Sequence, residues 1–194
     1  MIYYQNNAQH YFNETVSLVS ISKSRDRFLS YVPQGSHILD LGCGSGRDSL
    51  YFKQLGYTIT AFDQSKELAE LAEKLIAQPV VINSFQTMDY NSQFDAIWAC
   101  ASLLHCPKAE IVPVFRKVIQ ALKPKGIWYM SFKFGMEETI DSMGRFFNNY
   151  TLDSLQKLIQ QFDELTILES WLEETELRDG QQKWVNTIVQ KREK

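Results

Sequence analysis

Apolar residues in this chain follow two rhythms. Short runs at residues 36–41, 57–62, 80–85, 94–100 and 127–132 are bounded by Gly, Pro, Asp or Asn. Runs this short, rich in Val, Ile, Phe and Trp, predict strands. Between them apolar residues recur at three- and four-residue spacing, which lines one face of a helix. One such stripe covers about 46–55 and stops at Gly56. A second starts at the N-cap Ser65, has Glu67 in its first turn, and carries Leu68, Leu71, Ala72 and Leu75. A third spans 107–122 with Ile111, Val114, Phe115, Val118, Ile119 and Leu122. Pro113 suits that helix only within its first turn. Residues 122–126, LKPKG, should then stop the helix and turn the chain.

The two ends of the chain are patterned differently. A helix from Glu14 to about Val32, capped by Asn13, would bury Val16, Val19, Phe28, Leu29 and Val32. Tyr3, Tyr4, His10, Tyr11 and Phe12 form an aromatic head before it. That head is either core packing at a sheet edge or a flap over a ligand. Residues 133–150 show no period and predict a long loop, which in a compact domain is usually functional. Thr151 caps a helix carrying Leu152, Leu155, Leu158, Ile159 and Phe162. Strands at about 164–172 and 183–190 follow, with an acidic loop at 173–180 between them. Alternating strand and helix predict an α/β fold with a parallel, doubly wound sheet. The last two strands lack a helix between them and can pair as an antiparallel hairpin. The 194 residues are read as one domain, 1–194, with 1–35 as a helical cap.

Candidate chemistry concentrates at residues 38–49. The strand ends on Asp40-Leu41, and glycine then falls at every second position, Gly42, Gly44 and Gly46, before the helix. Such a turn lets backbone N–H groups and a helix N-terminus approach a ligand. Asp63 ends the second strand, 21 residues after Gly42, the spacing at which a carboxylate reaches ribose hydroxyls in nucleotide-binding α/β folds. The dinucleotide fingerprint G-x-G-x-x-G would need a third glycine where Arg47 stands.

The pattern present, D-x-G-x-G-x-G from Asp40 to Gly46, resembles the first motif of the class I S-adenosylmethionine (SAM)-dependent methyltransferases. The resemblance extends to residues 97–105 (IWACASLLH), 131–135 (SFKFG) and 183–186 (KWVN), where the chain looks like small bacterial tellurite-resistance-related methyltransferases. It implies a Rossmann-like seven-stranded sheet of order 3-2-1-4-5-7-6, strand seven antiparallel, with helices on both faces. Lys125 departs from the family's "LKPGG" turn by replacing its first glycine. The implied cofactor is SAM, with S-adenosyl-L-homocysteine as product. Asp40, Gly42, Gly44 and Gly46 would hold its methionine end, with Arg47 near it. Asp63 would take the ribose diol, and Gln64 would lie along the adenine. Ser84 and Phe85 would border the adenine, although the family's usual aspartate there is missing. Ala99, Cys100 and Ser102, in the run that ends at His105, would form the floor of the reaction site.

His105 is either a general base or a hydrogen-bonding residue at a helix end. Lys133, Phe134, Arg145, Phe146, Phe147, Arg178 and Trp184 are expected around a substrate. No catalytic triad or metal cluster is visible, as expected for methyl transfer, which chiefly needs alignment and exclusion of water.

Charge changes the picture of the partner. The net charge is −3 and the only dense basic run is residues 191–194. That argues against nucleic acid and for a small-molecule methyl acceptor. Methylation of nucleic acid or protein, or SAM binding without turnover, are the competing readings. No apolar run is long enough to span a membrane. The three cysteines lack paired metal spacing and are read as free thiols in the cytoplasm. A monomer or a homodimer is expected.

Overall fold

The computed structural model describes residues 2–18, 21–177 and 180–193. Seven strands form one sheet: β1 (His37–Leu41), β2 (Thr58–Asp63), β3 (Val80–Ile82), β4 (Phe94–Ala99), β5 (Leu122–Lys133), and two long C-terminal strands. Those last two are Leu165–Leu177 and Gly180–Lys191. A separate hairpin, β6 (Glu138–Ile140) and β7 (Phe146–Asn148), precedes them, so they are β8 and β9. The sheet order is β3-β2-β1-β4-β5-β9-β8, the order expected with the last two strands as seven and six. β9 runs antiparallel to β5 and β8 antiparallel to β9; the other pairs are parallel.

The helices are α1 (Ile2–Asn6), α2 (Ala8–Thr15), α3 (Ser22–Leu29), α4 (Arg47–Gln54), α5 (Lys66–Ile76), α6 (Lys108–Ala121) and α7 (Leu152–Ile159). Side chains alternate across the strands. Leu39, Leu41, Ile97, Trp128, Met130 and Phe132 pack with α6 and α7 residues on one face. Ile38, Ala96, Trp98, Ile127 and Tyr129 face Phe28 of α3 and Phe52 of α4 on the other. Trp98 and Tyr129 stack there at 4.0 Å, both buried.

Several boundaries differ from the sequence reading, each for a local reason. The expected helix from 14 to 32 is two pieces, α2 and α3. Thr15, Val16 and Ser17, and Ile21 and Ser22, are weaker helix formers, and the Thr15 hydroxyl also donates to the Tyr11 carbonyl at 2.7 Å at the end of α2. Asn13 is inside α2, bonded by Gln9, and caps nothing. Val19 lies outside the described residues. β3 stops at Ile82 because Asn83 and Ser84 begin a turn built on their own side chains. Pro113 lies past the first turn of α6. It is tolerated there because the carbonyl it leaves free, that of Ala109, belongs to an exposed residue. The 122–126 turn is part of β5, and Lys125 takes the left-handed φ of +62° that the family's glycine would adopt freely.

Residues 133–150 are not a plain loop. Asp141 accepts from the backbone N–H groups of Met143 and Arg145 and from Arg145 Nε, which closes the β6–β7 turn. Asn149 donates to the Glu137 carbonyl. Polar side chains hold this hairpin, so it leaves no apolar period. The acidic loop at 173–180 is largely strand: Glu173, Glu174 and Thr175 pair with Trp184, Lys183 and Gln182. Thr151 and Ser65 cap their helices as expected, Thr151 in a full capping box.

Candidate active site

The carboxyl ends of β1, β2 and β4 meet where the strand order reverses, the position at which open α/β sheets bind ligands. Two N–H groups, of Gly42 and Cys43, donate to the Phe62 carbonyl at 2.8 and 2.9 Å, which folds the glycine turn back over β2. Gly42 has φ +84°, and a Cβ there would overlap the Ser102 side chain. Only glycine lets the ends of β1 and β4 approach so closely. Gly46 faces away, its hydrogen against Ala72 and Ile76 of α5.

The Asp63 carboxylate locks the turn in place. It accepts from Gly44 N–H and Ser65 N–H, both at 2.8 Å. Burial raises its pKa, and the N–H groups of Ser65, Gly44 and Gln64 oppose that rise by favouring the charged form. Across the crevice, the Ser102 hydroxyl is buried without a hydrogen-bond partner. A buried polar atom with no partner is costly unless a ligand satisfies it.

The crevice is lined by Gly42, Gly44, Asp63, Gln64, Leu68, Phe85, Ala101, Ser102 and His105, and roofed by Tyr4 and Tyr11. Tyr11 lies 3.4 Å from where a Gly44 Cβ would be. The half-open crevice holds about 40 Å³. The aromatic head is packed, since α1 and α2 also contact α5, and it borders the crevice.

His105 closes one end. Its Nδ1 lies 2.8 Å from the Phe146 carbonyl, which can only accept, so Nδ1 carries the proton. Nε2 then accepts from the Tyr4 hydroxyl at 2.8 Å. Burial, with Arg145 and Lys133 nearby, pushes its pKa down to about 4. The ring is neutral and its free lone pair is engaged.

Six of the expected cofactor-site residues are not among those lining the crevice. Asp40 points to the α3–α4 face, where Ser49 donates to it at 2.7 Å. It is 2% exposed, and burial together with the charge of Asp48 raises its pKa. Arg47 turns to Asp48, at 3.0 and 3.1 Å, and toward the Thr15 carbonyl. Strand parity explains Asp40: it shares a face with Ile38 and Trp98, away from Leu39 and Leu41. Gly46 packs on α5. Ser84 bonds Thr87 in a turn. Ala99 is core, and Cys100 packs against the Phe28–Trp98 cluster, beside Ser131. Leu68, read as a helix-face residue, is the lining residue that spacing did not single out. Arg178 lies outside the described residues. The cysteines are free, and burial pushes Cys100 and Cys106 up to about 12, so both are protonated thiols. Among the described residues no cluster of His, Cys, Asp or Glu is arranged to hold a metal ion. None of their helices is long and apolar enough to cross a membrane.

Comparisons with known proteins agree with this geometry. Residues 38–126 match a methyltransferase-domain family. A Bacillus subtilis protein named as a methyltransferase, YqeM, is 30% identical over 103 residues, which are 50% of this chain and 42% of that one. The chain thus spans less than half the length of that relative. Among solved structures, the 1,6-didemethyltoxoflavin N1-methyltransferase of Burkholderia thailandensis, bound to 1,6-didemethyltoxoflavin and S-adenosylhomocysteine, superposes with a TM-score of 0.80. It is 17% identical and covers 99% of this chain and 88% of that one. A SAM-dependent methyltransferase of Methanosarcina mazei gives 0.74 at 21% identity, covering 86% and 97%. Residues 38–126 are thus similar to a methyltransferase domain, and the chain shares the fold of these solved methyltransferases.

Proposed function

We propose that this chain is a SAM-dependent methyltransferase that acts on a small-molecule acceptor, a reading that extends to the small bacterial tellurite-resistance-related group by its 39–49 and 97–105 stretches. The observation that carries it is the Gly42–Gly44–Asp63 clip facing the unpartnered Ser102 hydroxyl. Asp63 is the acceptor for the ribose diol, at the register the fold assigns to such a carboxylate. Phe85 and Leu68 supply apolar walls for adenine, with Gln64 at the edge. The glycine turn and Ser102 hold the methionine end; Asp40 and Arg47 support the turn from behind.

SAM supplies an activated methyl group. The protein's part is to align the acceptor and exclude water. Tyr4 and Tyr11 do the second by roofing the crevice. His105 serves as base only for an acceptor that brings a proton, and only once Tyr4 releases Nε2. The acidic net charge supports a small acceptor, and three free thiols fit the reducing cytoplasm.

Calorimetric titration with SAM, S-adenosylhomocysteine and NAD tests this. The first two should bind and NAD should not. Asp63→Asn should weaken both by at least about 2 kcal/mol, the loss of charge-assisted hydrogen bonds. Unaltered binding in that variant, or none in the parent, refutes the site.

A further inference from the structure

Beyond the crevice floor, one aromatic ring gathers three nitrogen-bearing side chains from separate elements. The Lys133 ammonium, at the end of β5, sits 3.5 Å from the centroid of Phe147. The Arg145 guanidinium lies 5.4 Å from the same centroid and 5.1 Å from that of Tyr3. The His105 ring packs at 5.2 Å. Asp141 neutralises Arg145 at 2.7 Å. Among the described residues no carboxylate lies within ion-pair distance of Lys133; Asp141 acts on it from farther away and is already bonded to Arg145.

The cluster therefore holds one cation more than it has anions, in a chain whose net charge is −3. Lys133 is half-buried, and burial and Arg145 both press its pKa down. A brace between β5 and the hairpin would need only one cation on the ring. Two like charges around one aromatic ring repel, and cation–π attraction offsets only part of that. An anion placed there would relieve the repulsion. The cluster adjoins the crevice through Tyr4 and His105, which line it.

From this we infer that Lys133, with Arg145, binds the negative group of the methyl acceptor, and that the acceptor is a small organic anion whose apolar body lies against the partly exposed Tyr3. This rests on the methyltransferase reading above. Such an acceptor, where the ionised atom takes the methyl group, needs no base, in keeping with a neutral, hydrogen-bonded His105.

The test uses the full chain saturated with S-adenosylhomocysteine. Benzoate, phenyl phosphate and 4-nitrophenolate are titrated calorimetrically beside neutral benzamide, cationic benzamidine and inorganic sulfate. At least one organic anion should bind tenfold or more tighter than benzamide, benzamidine and sulfate. Lys133→Gln should abolish that preference, Lys133→Arg should keep it, and both should bind S-adenosylhomocysteine like the parent. The inference fails if no organic anion binds, if benzamide binds equally well, if sulfate matches the best organic anion, or if Lys133→Gln changes nothing. Failure of S-adenosylhomocysteine itself to bind would appear before any anion is added, and would overturn the underlying reading instead.

Discussion

Burial turns His105 into a fixed neutral ring, and that has a measurable cost in acid. Its pKa falls from the ordinary 6.5 to about 4 in the folded chain. Between those values the unfolded state binds more protons, so stability is full above pH 6.5 and is lost as pH falls. The loss approaches about 3 kcal/mol near pH 4, at about 1.4 kcal/mol per pKa unit. Asp40 acts in the opposite sense, because its raised pKa favours the folded state as it protonates. The difference between parent and His105→Gln isolates the histidine. Urea unfolding from pH 7 to 4 should show the gap between the two closing, or reversing in favour of His105→Gln, as pH falls. A constant gap would mean that His105 is not buried neutral.

At the level of elements, one carboxylate ties three of them together on the α3–α4 face. Asp48 of α4 accepts from Trp98 Nε1 of β4 at 3.0 Å and lies 3.6 Å from Arg25 of α3, with Arg47 alongside. All of it is largely buried. Removing the anion strands two guanidinium groups in a poor solvent. Asp48→Ala should cost about 3–5 kcal/mol, since breaking a buried pair leaves its partner uncompensated. Chemical denaturation would read this directly, and a loss below about 1 kcal/mol, typical of a surface pair, would show that water reaches the cluster. The same cluster is why Arg47, though adjacent to the glycine turn in sequence, acts beneath it.

Across the whole molecule, helices α1 and α2 cover the crevice through Tyr4 and Tyr11. Small-molecule sites usually span about 300–1,000 Å³, whereas the space under Tyr4 and Tyr11 is about 40 Å³. We expect α1 and α2 to shift from α5 when a nucleoside enters. Their contacts there are few and largely aromatic. Tyr11→Ala should speed S-adenosylhomocysteine association on the order of tenfold, the equivalent of about 1.4 kcal/mol of lost packing. Stopped-flow fluorescence measures it, and an unchanged rate would show that α2 is not the gate.

Local chemistry by itself determined much of this protein. Strand-length apolar runs, helical stripes and the caps at Ser65 and Thr151 are short-range signals, and they specified the parallel sheet and most helices. The glycine turn and Asp63 were legible because their spacing records a backbone path. The strand order came from the family resemblance. Tertiary structure decided what depends on partners distant in sequence. Parity within β1 sent Asp40 away from the crevice, and Asp48 drew Arg47 after it. Tyr4 became a hydrogen-bond donor only by meeting His105, a hundred and one residues away. The β6–β7 hairpin, held by Asp141 and Asn149 rather than by apolar periodicity, had no sequence signature, and it is what brings Arg145 and Lys133 onto one ring.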